Sequence, residues 1–207
     1  FLIHQMDKRG IAVHLNTEAT PEMIKAENYD VVIAATGANP MVLPIPGADP
    51  EKLFFAQETF AHPEKLGENV VVIGGGEGGV EIGIYLSRKG HKASVLEMRD
   101  RLAADSTAIH YYSMLEEAWE AEPNFTGITG ARVAAIKDGA VEYIDKDGNT
   151  QSVPADSVVM SAGMRPNKDL ALSFYGCAKE FYMIGDCKKA ATIQQGMRSA
   201  YATAMRI

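Results

Sequence analysis

The chain has 207 residues, 46% of them hydrophobic and 23% charged, with a formal net charge of −7. That length suits one large domain or two small ones with a real core, and the acidic balance argues against nucleic acid, whose phosphates need a Lys/Arg-rich surface. No apolar stretch reaches membrane-span length and no secretory leader is visible, so no membrane partner and a cytoplasmic setting are expected.

Residues 1–10 read as the end of a helix, with Lys8 and Arg9 in its last turn and Gly10 closing it. Ile11–Leu15 reads as a short strand and Pro21–Ala26 as a helical turn. Asp30–Ala34 reads as a β-branched run, expected of a strand covered on both faces; it ends in Ala35-Thr36-Gly37. Residues 39–50 hold four of the nine prolines and read as an extended connection. Asn69–Ile73 predicts a second buried strand, followed at once by Gly74-Gly75-Gly76-Glu77-Gly78-Gly79 and a helix from about Gly78 to Lys89. Arg88-Lys89-Gly90 stops that helix, and His91–Glu97 alternates into a third strand. Asp105 or Ser106 is placed to cap a helix from Thr107 to Ala121, with Ile109, Tyr112, Leu115 and Trp119 on one face. The Asp138-Gly139 and Asp147-Gly148 turns predict an antiparallel meander over 131–153. Asp156–Ser161 is another buried strand, and the last helix spans about Ile193–Arg206.

The segment 69–97 is therefore a strand, Gly-rich turn, helix and strand of the length expected for a dinucleotide-binding βαβ unit. Gly74 permits the tight turn, Gly76 leaves room for a pyrophosphate, and Gly79 allows close packing of helix on strand. Glu77, Gly78 and the helix start present unpaired N–H groups and a partial positive charge to phosphates. Glu97, 23 positions after Gly74, ends the third strand. A carboxylate there suits the ribose hydroxyls of NAD and repels a 2′-phosphate, so NADH is expected over NADPH. Arg99 and Arg101 could serve a 2′-phosphate or belong to a solvated loop. Glu81 could face the nicotinamide end or lie at a domain interface. Cys177 and Cys187 form neither a C-x-x-C pair nor a zinc set, and the five histidines lack ligand spacing, so free thiols and no metal site are expected. No catalytic acid–base pair or nucleophile is needed.

Three motifs in this order carry a family resemblance: Val31–Gly37 with Pro44-Ile45-Pro46-Gly47, the fingerprint at 74–79, and Ala162-Gly163-Met164-Arg165-Pro166-Asn167 leading to Ile184-Gly185-Asp186. The arrangement resembles the two-dinucleotide-domain flavoproteins related to pyridine nucleotide–disulfide oxidoreductases, in which an NAD(P)H domain is inserted into an FAD domain. The opening stretch Lys8–Glu18 resembles, more narrowly, the C-terminal part of the old yellow enzyme-type NADH:flavin oxidoreductases, which include 2,4-dienoyl-CoA reductase, 2-enoate reductase and trimethylamine dehydrogenase. The resemblance implies an α/β fold: a Rossmann-like three-layer NAD(P)H domain at 65–163, with an antiparallel meander crossover, inserted into an incomplete FAD domain formed by 1–64 and 164–207. It implies that Asp186 binds the FAD ribitol with Gly185 allowing close approach, that 191–194, including Ile193, meet the flavin ring, and that Thr36, Gly37 and Gly163 lie near the crossover. A second Gly-rich turn is absent and Phe1 opens the chain. The chain thus reads as a fragment, inactive alone, whose FAD βαβ unit, FMN barrel and iron–sulfur cysteines lie upstream. A disulfide-reductase fragment and a structural adenine-nucleotide module are the alternatives.

Overall fold

The computed structural model describes residues 1–106 and 108–207, and the chain divides into two compact units, one of 1–38 with 166–207 and one of 39–165. In chain order the first unit opens with α1 (Leu2–Lys8), α2 (Pro21–Ala26) and β1 (Val31–Ala34). The chain leaves through β2 (Ala38–Pro40). The second unit then runs β3 (Phe54–Phe55), α3 (Ala56–Ala61), β4 (Asn69–Ile73), α4 (Glu77–Arg88), β5 (Lys92–Leu96), α5 (Ile109–Glu120), β6 (Phe125–Ile128), β7 (Arg132–Lys137), β8 (Ala140–Ile144), β9 (Thr150–Pro154) and β10 (Ser157–Met160). The return passes through β11 (Met164–Pro166), which pairs with β2, to α6 (Lys168–Ser173), β12 (Glu180–Met183) and α7 (Ile193–Ala204).

The second unit has three layers. Its central sheet is parallel, in the order β3-β10-β4-β5-β6. Strand β4 is buried on both sides, and its alternation divides the core. Val70 and Val72 pack with Val80, Ile82 and Leu86 of α4 and Leu115 of α5. Val71 and Ile73 pack on the other side with Val141 of β8, Val158 and Met160. The meander β7-β8-β9 that covers this side is antiparallel, with a bulge between Val133 and Ala135. It turns at Gly139 and Gly148, both at positive φ, which the two Asp-Gly pairs announce. The order reverses at β4, with β5 on one side and β10 on the other, so the Gly-rich turn lies at the switch point where α/β sheets bind ligands.

In the first unit β1 and β12 pair in parallel, from Val31 with Glu180 to Ala34 with Met183. Ala34, Ala171 and Cys187 form its buried cluster. Gly10 closes α1 at positive φ, its N–H donating to the Asp7 carbonyl at 3.0 Å. Thr20 caps α2 by accepting the Met23 N–H at 3.3 Å.

Four expectations need correction. Strand β1 is not covered on both faces: Val31 and Val32 are half-buried, Ile33 is exposed and only Ala34 is buried, because the strand belongs to a two-stranded sheet. Ile11–Leu15 is not a strand: Ile11, Val13 and Leu15 are exposed, and a short, mostly apolar stretch does not make a strand where no neighbour completes a ladder. Helix α5 begins at Ile109 with Ala108 as N-cap, and no side chain caps it; the expected start, Thr107, lies outside the described residues. Ile109 is 83% exposed, so the inward face of α5 reduces to Leu115 with half-buried Tyr112 and Trp119.

Leu86 is fully buried between α4 and the sheet. Leu86→Ala is expected to lower unfolding free energy by about 2–5 kcal/mol, and Leu172→Ala on exposed α6 by about 0.5 kcal/mol or less; urea denaturation followed by circular dichroism checks both.

Candidate functional site

The Gly-rich turn is built from close approaches. Gly74 has φ +105, and a Cβ there would stand 2.3 Å from the Ser161 carbonyl oxygen. A Cβ on Gly79 would stand 1.8 Å from the Gly74 carbonyl oxygen, so the first turn of α4 touches the end of β4 only because Gly79 is bare. Gly76 is extended and is the N-cap of α4, with no side chain to cap it. Gly78 faces open space, its nearest neighbour being the Ser161 hydroxyl at 4.0 Å.

Glu97 follows β5 directly and is 4% exposed. Its Oε2 accepts the Gly75 N–H at 2.8 Å, and its Oε1 accepts the Arg99 backbone N–H at 2.9 Å and Arg99 Nε–H at 3.0 Å. Burial pushes this carboxyl toward neutrality, but the donors from Arg99 and Gly75 outweigh it and hold the pKa below the usual glutamate range. Glu97 therefore remains ionised and ties the end of β5 to the Gly-rich turn. The same interaction raises the Arg99 pKa. The Arg101 guanidinium lies 5.2 Å from the centroid of the Tyr112 ring, a cation–π contact with α5. Arg99 is thus the partner of Glu97, and Arg101 rests against α5.

Asp105 was expected to cap α5. Instead its Oδ1 accepts the Glu77 N–H at 3.0 Å, which makes it the acceptor for the start of α4. A Cβ on Gly76 would meet Asp105 Oδ2 at 3.0 Å, so the carboxylate lies directly over the second fingerprint glycine. The bare Gly76 leaves room for this carboxylate at an otherwise uncapped helix start. Glu81, one turn further along α4, accepts the Tyr111 hydroxyl. That bond, with burial and the nearby charges of Glu81 and Glu77, pushes the Tyr111 pKa up to about 12.

Gly74, Gly75, Gly76, Glu77, Gly78, Gly79 and Glu97 thus come together at the carboxyl end of β4. The set fits a nucleotide diphosphate: a helix start that already holds a carboxylate, a bare Gly76, and an ionised acceptor beside the turn. Asp105 was not assigned to this site from sequence, since a contact 28 residues from Glu77 leaves no local pattern. Gly163, with φ +96, lies two residues after Ser161, whose carbonyl meets Gly74, and its own carbonyl accepts the Met41 N–H at 2.9 Å.

In the first unit, Asn167 closes a clasp. Its Nδ2–H donates to the Thr36 carbonyl at 3.1 Å, its carbonyl accepts the Thr36 hydroxyl at 3.2 Å, and its N–H donates to the Gly37 carbonyl at 3.0 Å. Gly185 has φ +63 with nothing within 4 Å of a Cβ, and its N–H donates to Ser199 Oγ at 3.2 Å. Asp186 Oδ1 accepts the Ala191 N–H at 3.2 Å, and Ile193, the first residue of α7, is 88% exposed. An open glycine, a neighbouring carboxylate and an exposed apolar residue at a helix start fit the ribityl and ring end of a flavin. The Cys177 and Cys187 thiols are buried, each directed at backbone carbonyls: Pro21 for Cys177, and Ala34 and Ile184 for Cys187. Among the described residues no group of three or more His, Cys, Asp or Glu is arranged to hold a metal, and no helix is long and apolar enough to cross a membrane.

Residues 6–205 match the model of the pyridine nucleotide-disulphide oxidoreductase family, and the chain belongs to that family. It is 33% identical over 205 residues to bilirubin reductase of Mediterraneibacter gnavus, covering 99% of this chain and 32% of that protein. It is 30% identical over 200 residues to cinnamate reductase of Clostridium sporogenes, covering 96% and 30%. A solved 2-naphthoyl-CoA reductase, in complex with 2-naphthoyl-CoA, superposes with a TM-score of 0.90 at 31% identity, covering 99% of this chain and 31% of that one. The chain therefore spans about a third of the length of the curated relatives it matches.

Two contrasts test this geometry. Gly79→Ala is expected to destabilise by several kcal/mol, because its methyl group meets backbone, whereas Gly78→Ala should be neutral or stabilise by up to about 1 kcal/mol; thermal unfolding of both variants distinguishes them. The lowered pKa of Glu97 means that its contribution to stability is complete above the ordinary glutamate pKa and is lost as pH falls through the lower folded-state value. The stability gap between the protein and Glu97→Gln should accordingly be constant near neutrality and narrow on acidification.

Proposed function

We propose that this member of the pyridine nucleotide-disulphide oxidoreductase family is the NADH-binding part of a flavin-dependent oxidoreductase of the old yellow enzyme type, with the unit of 39–165, whose sheet takes in β3 ahead of the expected boundary at 65, binding the nicotinamide dinucleotide and the unit of 1–38 with 166–207 lying on the FAD side. The observation that carries the reading is the ionised Glu97 carboxylate bonded to the turn at 74–79. Start of α4 and bare Gly76 receive the pyrophosphate. Glu97 accepts from the adenine ribose hydroxyls and disfavours a 2′-phosphate, which selects NADH over NADPH. Arg99 keeps Glu97 ionised and oriented. Gly185 and Asp186 hold the ribityl chain of FAD, and the start of α7, around Ile193, favours negative charge at the flavin ring. Thr36, Gly37 and their clasp to Asn167 keep the leaving and returning chain in register on the FAD side. Bound FAD supplies the chemistry of taking hydride from NADH and passing electrons onward.

Bilirubin, cinnamate and 2-naphthoyl-CoA, after which three similar reductases are named, are all conjugated unsaturated compounds. That shared chemistry supports an unsaturated enoate or acyl-CoA type substrate, reduced at an FMN barrel joined through an iron–sulfur cluster. Both would lie in the part of the relatives that this chain does not cover. The chain alone then binds nucleotide and turns over little.

Calorimetric titration tests the reading. NADH should bind saturably one to one, NADPH at least about tenfold more weakly, and Glu97→Gln should weaken NADH by about tenfold, the loss of one charged hydrogen bond. Equal affinity for NADPH would overturn the cofactor assignment, and FAD binding at the 74–79 turn in place of NADH would overturn the domain assignment.

A further inference from the structure

The loop from Arg99 to Ser106 folds back over the Gly-rich turn. It is pinned at Ala103, which is fully buried, has φ +47, and donates its N–H to the Gly75 carbonyl at 2.7 Å. Leu102 beside it packs against Gly75 and Gly127. Two residues beyond the pin, the exposed Asp105 carboxylate accepts the Glu77 N–H at 3.0 Å and lies on Gly76, with Arg99 Nη2 4.0 Å from its Oδ1. The next residue, Ser106, has its hydroxyl buried with no hydrogen-bond partner among the described residues. The segment is therefore tightly held up to Ala103. Beyond it, among the described residues, the segment is held by the Asp105–Glu77 carboxylate–amide bond and by the Ser106 N–H donating to the Ala103 carbonyl at 2.9 Å, and it carries a hydroxyl that this position leaves unsatisfied.

Resting on the dinucleotide reading of the 74–79 turn, we propose that Asp105 is a built-in competitor of the dinucleotide pyrophosphate. Its carboxylate takes the amide and the space above Gly76 that the pyrophosphate needs. Both groups are anionic, so they do not share the start of α4. Binding therefore displaces residues 104–106 while the Ala103 pin and the Glu97 bond to Gly75 stay in place. The displaced carboxylate remains within reach of Arg99, the cation that already bridges Glu97 and Asp105. The device sets the dinucleotide affinity below what the bare fingerprint would give. It also prevents the start of α4 from standing empty between turnovers.

Calorimetric titration with NADH of the protein, Asp105→Asn and Asp138→Asn tests the proposal. Asp138 lies in the β7–β8 turn and controls for the change in net charge alone. Asp105→Asn should tighten NADH about five- to tenfold, equivalent to about 1–1.4 kcal/mol, with Asp138→Asn unchanged. Binding detectable only in Asp105→Asn would support the same conclusion. Equal or weaker binding by Asp105→Asn, against saturable binding by the unaltered protein, would overturn the competitor role while leaving the dinucleotide site intact. Equal tightening in both variants would reduce the effect to net charge and would also overturn it. Absence of NADH binding in all three would overturn the dinucleotide reading, and the competitor with it. Melting temperatures of the three proteins exclude a fold defect, since Asp105 is exposed.

Discussion

The bond from the Gly75 N–H to the Glu97 carboxylate is the constraint on which the site depends. It joins the turn after β4 to the end of β5, two segments that the parallel pairing of Val72 with Val95 and Ile73 with Leu96 has already brought side by side. A carboxylate this buried would be strongly disfavoured as an ion without partners. Three N–H donors from two residues keep it charged. The same arrangement orients Arg99 toward Asp105, and so sets the electrostatics of the start of α4. One buried charge thus fixes the turn, aims a cation, and leaves an ionised acceptor beside the place where a nucleotide would lie.

The parts of this arrangement readable from sequence are those with a short repeat or a rigid local requirement. Asn69–Ile73 has no polar interruption between strand and turn, and β4 is buried throughout apart from its first residue. Gly74 and Gly79 are separated by the spacing that lets backbone meet backbone. The Asp-Gly pairs specify turns at positive φ, and the meander follows from them. The parts that were not readable depend on distant partners. The two-residue β3 exists because β10 offers it an edge. Ile11–Leu15 has a strand's apolar composition without an edge to join. Asp105 has a strong N-cap residue type, yet which helix it caps is decided by where the loop after β5 is pinned, through Ala103 and Leu102. Ile109 fits the helical period of α5 but lies at its first turn, beyond the packing of α4 against the sheet.

The two units differ in how they are held. Residues 39–165 bury clusters on both faces of a five-stranded sheet, and nearly every residue of β4 and β10 contributes. Residues 1–38 with 166–207 bury one small cluster behind a two-stranded sheet. A pair of strands offers too little area for much hydrophobic stabilisation. The precise features of this unit are accordingly polar and local: the Thr36–Asn167 clasp, the Thr192 cap of α7, and the Asp186 bond to Ala191. These fix backbone geometry at Gly37 and Gly185 without requiring a deep core.

An acidic chain that binds a dinucleotide diphosphate must draw its attraction from somewhere other than its net charge. At the start of α4 the positive end is supplied by backbone N–H groups and by Arg99, within a few ångströms, where local fields outweigh a diffuse charge of −7 that salt screens. Arg99 contributes while paired with Glu97, and Arg101 lies against the Tyr112 ring. A site so economical in positive charge distinguishes anions by shape rather than by strength. A diphosphate that follows the bare glycines can bond several amides of the turn together, whereas a single carboxylate such as that of Asp105 reaches only one. The advantage of the dinucleotide over the internal acceptor then lies in the number of amides it can reach, and that number is set by the absence of side chains at Gly76 and Gly78.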